Sequence, residues 1–371
     1  QSWLARHAAV ALHTLPDIMP APVTSDHAGV PHSEPSSGAA PVAIIAMDGV
    51  FPDSADVAAL REHLYHGDDC IRDIPPDRWD WRASYGEPQK GHLTDIKSGG
   101  FIPEHDGFDA AFFNISPREA ELLDPQHRLF MECVWRLIEQ GGYAPGSLAG
   151  KKVALFVGIN LLDYVDMANQ AGIMEAQQMT GLGHAFCPNR LSFMLDIHGP
   201  SEVVDTACSS SLVAIHRAVM SIRHEGCEMA IAGGSNLILS PKQHMLFSKV
   251  GMLAQEGRCK TISSDADGYS RAEGEGAVLL KRLDLAERDG DPILGVIRGA
   301  VAHHGGGATS LTAPNPVAQA ELIAETYRQA QVDPRSVTYI ECPGTGTSLG
   351  DPVEVQGLKS AIAALYQEPA L

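Results

Sequence analysis

A layered α/β fold with a mainly parallel, buried sheet is predicted by two features of the sequence. From residue 42 onward, short apolar runs alternate with longer stretches of helical period. Those runs are apolar on both alternating positions, as strands covered on both faces must be. Size and composition agree: 371 residues, 44% hydrophobic and 20% charged, suffice for one large or two fused domains around a sizeable core.

The elements follow in order. Trp3, Leu4, His7, Ala8, Ala11 and Leu12 share one helical stripe, which predicts a helical tail over 1–12. Residues 13–41 hold six prolines among Ser, Ala and Asp and read as a linker. Strands are expected at 42–47, 153–159, 202–205, 229–239, 276–280, 293–303 and 338–341, with helices in many of the gaps. Between 68 and 118 the chain is rich in Pro, Trp, Asp and Gly, which predicts an inserted irregular layer of the kind that often lines sites.

Charge and cysteine usage exclude several functions. Against 27 Lys and Arg stand 46 Asp and Glu, a net −19 that repels nucleic acid and anionic lipid. No apolar run reaches the length of a membrane span, and the first residues lack a secretory signal, so a cytoplasmic protein is expected. The seven cysteines are scattered and never form a Cys-x-x-Cys pair, against both a disulfide framework and a zinc knuckle.

The stretch GPSEVVDTACSSSLVAIHRAVMSIRHEG carries the clearest chemistry. An apolar strand ends near Asp205, a tight turn places Cys208, and a helix is predicted over 209–223. The unpaired N–H groups and positive dipole end of that helix stabilise negative charge at the sulfur, and a thiolate attacks thioesters well. Ala207, Ser209 and Ser210 are small enough to leave the approach open, and the Cys208 N–H could face a developing oxyanion. The six other cysteines read as buried small hydrophobes, Cys342 less clearly because it abuts a second unusual turn.

That second turn, YIECPGTGTSLGDPVE, has glycines at 344, 346 and 350. A dinucleotide fingerprint would need its third glycine at 349, which is leucine. Thr345 and Thr347 offer hydroxyls to a polar ligand arm, and a plain turn with both bonded to backbone is the competing reading. His303 and His304 lie where a strand gives way to a loop and are weak candidates for a base. Sequence spacing shows no metal-ligand set.

Together these stretches resemble the ketosynthase (beta-ketoacyl synthase) domains of modular polyketide synthases, from about residue 42 to 360. The blocks that carry the resemblance are FNISPREAELLDPQHRLFMECVW, GPSEVVDTACSSSLVAIHRA, GMLAQEGRCKT, ADGYSRAEGEGAVLLKRL and GTGTSLGDPVEVQ. The run SLTAPNPVAQAELI is similar to the trans-acyltransferase branch. The resemblance implies a thiolase-like αβαβα fold in two similar halves: the first over 42–303, the second begun over 304–371 and truncated at its C-terminus. It further implies a homodimer and an acyl carrier protein whose phosphopantetheine arm delivers an acyl chain to Cys208, the domain itself binding no cofactor. Thr345 and Thr347 are expected to contact that arm. A C-terminal ketosynthase portion, in the same or a companion chain, is expected to complete the fold.

Where the family block reads His-Gly-Thr-Gly-Thr, this chain has Pro343, whose ring nitrogen can neither donate nor accept a proton. Ser263, Ala272 and His303 also replace the family's usual Asp, Gly and Asn. These departures suggest a non-elongating ketosynthase that passes an acyl chain on without decarboxylative condensation. An elongating ketosynthase and a silent dimerisation and docking module are the alternatives.

Overall fold

The computed structural model describes residues 40–367. The predicted helical tail over 1–12, and all but the last two residues of the predicted linker over 13–41, lie outside that range. The strands are β1 Val42–Val50, β2 Ile71–Asp73, β3 Ser98–Gly100, β4 Val153–Gly158, β5 Ser201–Val204, β6 Met229–Asn236, β7 Gly274–Arg282 and β8 Gly295–Ile297. The helices of seven residues or more are α1 Val57–His66, α2 Pro125–Gln140, α3 Asp163–Gln170, α4 Phe186–Leu195, α5 Ser210–His224, α6 Lys242–Lys249, α7 Leu283–Asp289, α8 Pro316–Ala330 and α9 Gly350–Gln367. None is long and apolar enough to cross a membrane.

Six strands form one sheet in the order β5-β4-β6-β7-β1-β8. Strands β5, β4 and β6 are mutually parallel, whereas β7 runs antiparallel to β6 and to β1, and β8 antiparallel to β1. The sheet is therefore mixed rather than mainly parallel. A strand covered on both faces is apolar whichever way it runs, so the sequence pattern does not carry direction.

Alternation along the strands divides the core in two. Val153, Leu155 and Val157 of β4 face the side covered by α2 and α4, with Ile231, Leu279, Phe130 and Leu137. Ala154 and Phe156 face the side covered by α5, with Ala214, Ala218, Val219 and Ile222. Each large side chain buried in this way contributes about 1.5–3 kcal/mol.

The irregular layer is present, with β2 and β3 paired as a small antiparallel ribbon. It is fastened to the sheet by Glu273, just before β7. Nε and Nη2 of Arg78 donate to that carboxylate (2.9 and 2.8 Å), as do the backbone N–H groups of Ile102 and Ile238 (both 3.0 Å). The pair is almost completely buried, so satisfying its remaining lone pairs from backbone is what makes it tolerable.

Two strand expectations differ from the structure. Of 293–303 only Gly295–Ile297 joins the sheet. Residues 338–341 form no ladder with any described residue, and Tyr339 is 60% and Ile340 42% exposed. An apolar run signals strand tendency, but a strand exists only beside a partner.

Candidate active site

The parallel strands β4, β5 and β6 all end on one side of the sheet, where ligands usually sit in such folds. There a cavity of about 540 Å³ is lined by residues 158–161 after β4, Ala207, Cys208, Ser210 and Ser211 after β5, and 234–236 at the end of β6. Phe51, Phe247, 269–272 and 274–276 close its other walls.

Cys208 is exposed, in a single 3₁₀ turn, Ala207–Ser209, that leads into α5. The helix itself begins at Ser210, one residue later than its predicted start. Ala207 has φ 54°, a left-handed backbone that costs a non-glycine residue about 1–2 kcal/mol. This sharp reversal carries the chain from strand to helix and leaves the sulfur at the corner. Ser210 holds the corner from beneath: its Oγ accepts the Thr206 N–H (2.9 Å) and donates to the Ala207 carbonyl (2.7 Å).

Glycine permits the close approach of α5 to the sheet. A Cβ on Gly158 would lie 2.9 Å from Ser210 Cβ, and one on Gly234 would lie 2.3 Å from Ser211 Oγ. The other cysteines fall into two groups: Cys133, Cys187 and Cys227 are buried, and Cys70, Cys259 and Cys342 are half-buried. Burial pushes the thiols of Cys133 and Cys187 well above their ordinary value, so they stay protonated and inert.

The cavity also contains groups that the sequence reading missed. Arg271 is buried, with its guanidinium 5.5 Å from the centre of the Phe247 ring. Burial lowers its pKa, against the opposing pull of Tyr269, Asp163 and Glu273. Burial likewise raises the Tyr269 phenol. Asn160 and Asn236 follow β4 and end β6, and their positions at the carboxyl ends of parallel strands were the available signal.

Pro343, Thr345 and Thr347 do not line this cavity. The Thr345 and Thr347 hydroxyls lie 3.0 Å apart, and Thr347 Oγ1 accepts the Gly350 N–H (3.0 Å) at the start of α9. Their loop is bound to the segment that leads into the cavity wall. Gly268 N–H donates to the Gly346 carbonyl (2.9 Å), Gly346 N–H to Asp351 (3.0 Å), and the Thr261 hydroxyl to the Gly344 carbonyl (2.7 Å). The next residue, Tyr269, lines the cavity. Pro343 is exposed.

His303 and His304 line a separate cavity, where His304 Nδ1 accepts the Gly306 N–H (2.9 Å); His303 Nε2 lies 3.1 Å from Glu325, with which it borders a further cavity. The irregular layer does not line the Cys208 cavity either. Anchored behind Glu273, it contributes Cys70 and Ile71 to a neighbouring cavity of about 500 Å³ that shares Ser270 with the first.

A mixed sheet covered on both faces, with a cysteine corner at the ends of its parallel strands, defines a thiolase-like α/β protein. The chain belongs to the beta-ketoacyl synthase family, enzymes that transfer acyl groups carried as thioesters. The family description "Beta-ketoacyl synthase, N-terminal domain" matches residues 39–286 and "Beta-ketoacyl synthase, C-terminal domain" matches 294–370. Among similar proteins, polyketide synthase PksN of Bacillus subtilis is 50% identical over 329 residues, covering 88% of this chain and 6% of that protein. PksL of the same organism is 43% identical over 353 residues, covering 93% of this chain and 8% of PksL. The chain thus spans less than a tenth of these relatives. Among solved structures, an oxazolomycin ketosynthase domain of Streptomyces albus is similar at TM-score 0.83 and 39% identity, covering 88% of this chain and 56% of that one. A ketosynthase from module 6 of the Bacillus subtilis bacillaene synthase gives 0.81 and 36%, covering 87% and 55%.

Proposed function

We propose that this chain is part of a ketosynthase domain in a modular polyketide synthase of the trans-acyltransferase type, and that it relays acyl chains without extending them. The acyl group arrives as a thioester on the phosphopantetheine arm of an acyl carrier protein. The Cys208 thiolate attacks the carbonyl carbon, the new C–S bond forms, and the pantetheine sulfur leaves and takes up a proton. A second pantetheine thiol then attacks the Cys208 thioester and regenerates the cysteine. The domain works as a homodimer, with Thr345 and Thr347 contacting the arm.

The observation that carries this reading is Pro343, at the position the family block gives to histidine. Decarboxylation of a malonyl unit builds an enolate whose charge must be stabilised as it forms. Losing a positioned imidazole costs on the order of 10²–10⁴ in rate. Exchange of one thioester for another is less dependent on that group.

Of the basic residues that could meet an acidic carrier protein, Arg128 is buried and bonded to the Leu123 carbonyl, and Arg217 is paired with Glu202 (2.9 Å). Lys151 and Lys152 remain exposed, with the Lys152 ammonium on the Glu225 carbonyl.

Intact-mass measurement tests the reading. With acyl-carrier and malonyl-carrier thioesters, the protein should gain one acyl adduct and yield no extended product, and Cys208→Ala should gain no adduct. Extended product at the rate of ordinary ketosynthases would refute the relay, and an adduct on Cys208→Ala would refute the nucleophile.

A further inference from the structure

Away from Cys208, three side chains with metal-binding chemistry converge where the start of α2 meets the turn before α4. One donor atom from each of Asp124, His127 and His184 lies within 4.8 Å of the other two. Asp124 and His127 are fully buried, and His184 is half-buried, which leaves a route in from solvent.

Hydrogen-bond partners fix the state of each donor. His184 Nε2 donates to the Leu161 carbonyl (2.9 Å), so its Nδ1 is a bare lone pair. That lone pair faces His127 Nε2 at 3.0 Å. Asp124 Oδ1 accepts the backbone N–H (2.9 Å) and side-chain amide (3.2 Å) of Gln126. Asp124 Oδ2 and His127 Nδ1 are buried with no partner. Of the two, Asp124 Oδ2 is the one an ion would satisfy: left alone such an orphan costs about 1–3 kcal/mol, and the histidine–histidine hydrogen bond does nothing for it.

We propose that Asp124, His127 and His184 form a binding site for a divalent transition-metal ion of the zinc type. Two imidazole nitrogens and a carboxylate oxygen are a donor set that zinc accepts. Ligand nitrogens at 2.0–2.1 Å on a tetrahedral ion lie about 3.4 Å apart, close to the spacing already present between the two histidines. Asp124 Oδ2 supplies the third donor. The His127 proton moves from Nε2 to Nδ1, so no proton leaves the imidazole and nothing is oxidised or reduced. The bond from His184 to the Leu161 carbonyl is the type of outer contact that orients a ligating imidazole.

The two ligand-bearing segments are held together before any ion binds. Asp124 N–H donates to the Gly181 carbonyl (2.9 Å), and a Cβ on Gly181 would lie 2.3 Å from the Leu122 carbonyl oxygen. Leu161, whose carbonyl receives both His184 and Gln126, lines the Cys208 cavity, so the ion would brace that wall.

The test uses chelator-stripped protein titrated with Zn²⁺ against a chromophoric chelator, and with Co²⁺ followed by visible absorption. One ion per chain with micromolar or tighter affinity is expected, together with a Co²⁺ spectrum of tetrahedral type. Zn²⁺ should raise the denaturation midpoint of the wild type. His184→Ala, at a half-buried position, should weaken binding about 100-fold and abolish that rise. Asp124→Asn should weaken it in the same direction. No Zn²⁺ bound by the wild type at 100 times the protein concentration, or equal binding by His184→Ala, would overturn the proposal.

Discussion

Gly158 lies beneath the first turn of α5, and replacing it with alanine should misplace Cys208 without touching it. The added methyl would sit 2.9 Å from Ser210 Cβ and 3.0 Å from both Ser210 C and Ser211 N. Ordinary carbon contacts begin at about 3.5 Å, so the turn must retreat by roughly half an ångström or more. Two of the three obstacles are backbone atoms, which cannot rotate aside. Overpacking of this kind destabilises by about 1–3 kcal/mol. The displacement passes to Cys208 because Ser210 Oγ is bonded to Thr206 and Ala207, the two residues before it. A misplacement near 1 Å costs on the order of 10² in rate, so acyl loading of Gly158→Ala should fall about 10- to 100-fold in kcat/KM. Quenched-flow intact-mass measurement of the acyl adduct gives that rate, and urea denaturation gives the stability. Gly107→Ala, where an added Cβ meets nothing within 4 Å, should change neither. A folded Gly158→Ala protein that loads within twofold of wild type would show that the helix start does not set the position of the sulfur.

Three further outcomes follow from the buried charges. Arg78→Met strands the Glu273 carboxylate and should lower stability by about 3–5 kcal/mol in urea melts, with a smaller loss when Glu273→Gln is added. Burial holds the Glu275 carboxyl well above 4.5, so it stays protonated when the unfolded chain ionises. Stability should then decline as pH rises above 4.5, by up to about 1.4 kcal/mol per unit, and Glu275→Gln should flatten that slope. His244 shows the opposite limb: burial lowers it from 6.5 to about 3, so the unfolded chain takes up the proton first. Stability should fall as pH drops below 6.5, approaching a loss of about 5 kcal/mol near pH 3, and His244→Gln should remove that component from a pH series of denaturation curves.

The cysteine corner was legible in the sequence because all its determinants are local: an apolar strand, a small-residue turn and a helix within about twenty residues. Sheet direction was not, because β7 finds β1 and β6 through contacts distant in the chain. The same limit hid Glu273, whose ion-pair partner lies 195 residues away, and the meeting of His127 with His184, 57 residues apart. The irregular layer was recognised by its composition, but composition does not say which cavity a segment faces. Strand-like text at 338–341 shows the converse error, a local tendency with no neighbour among the described residues to complete it.

Glu273 gathers Arg78, Ile102 and Ile238 onto one carboxylate, so three chain segments share a common point of reference next to the Cys208 chamber. Segments fixed at such a hub can vary farther out without moving the chamber wall. The outer rim of the irregular layer is therefore where insertions and sequence drift should accumulate among related domains, giving each a different face for its neighbours around an unchanged interior.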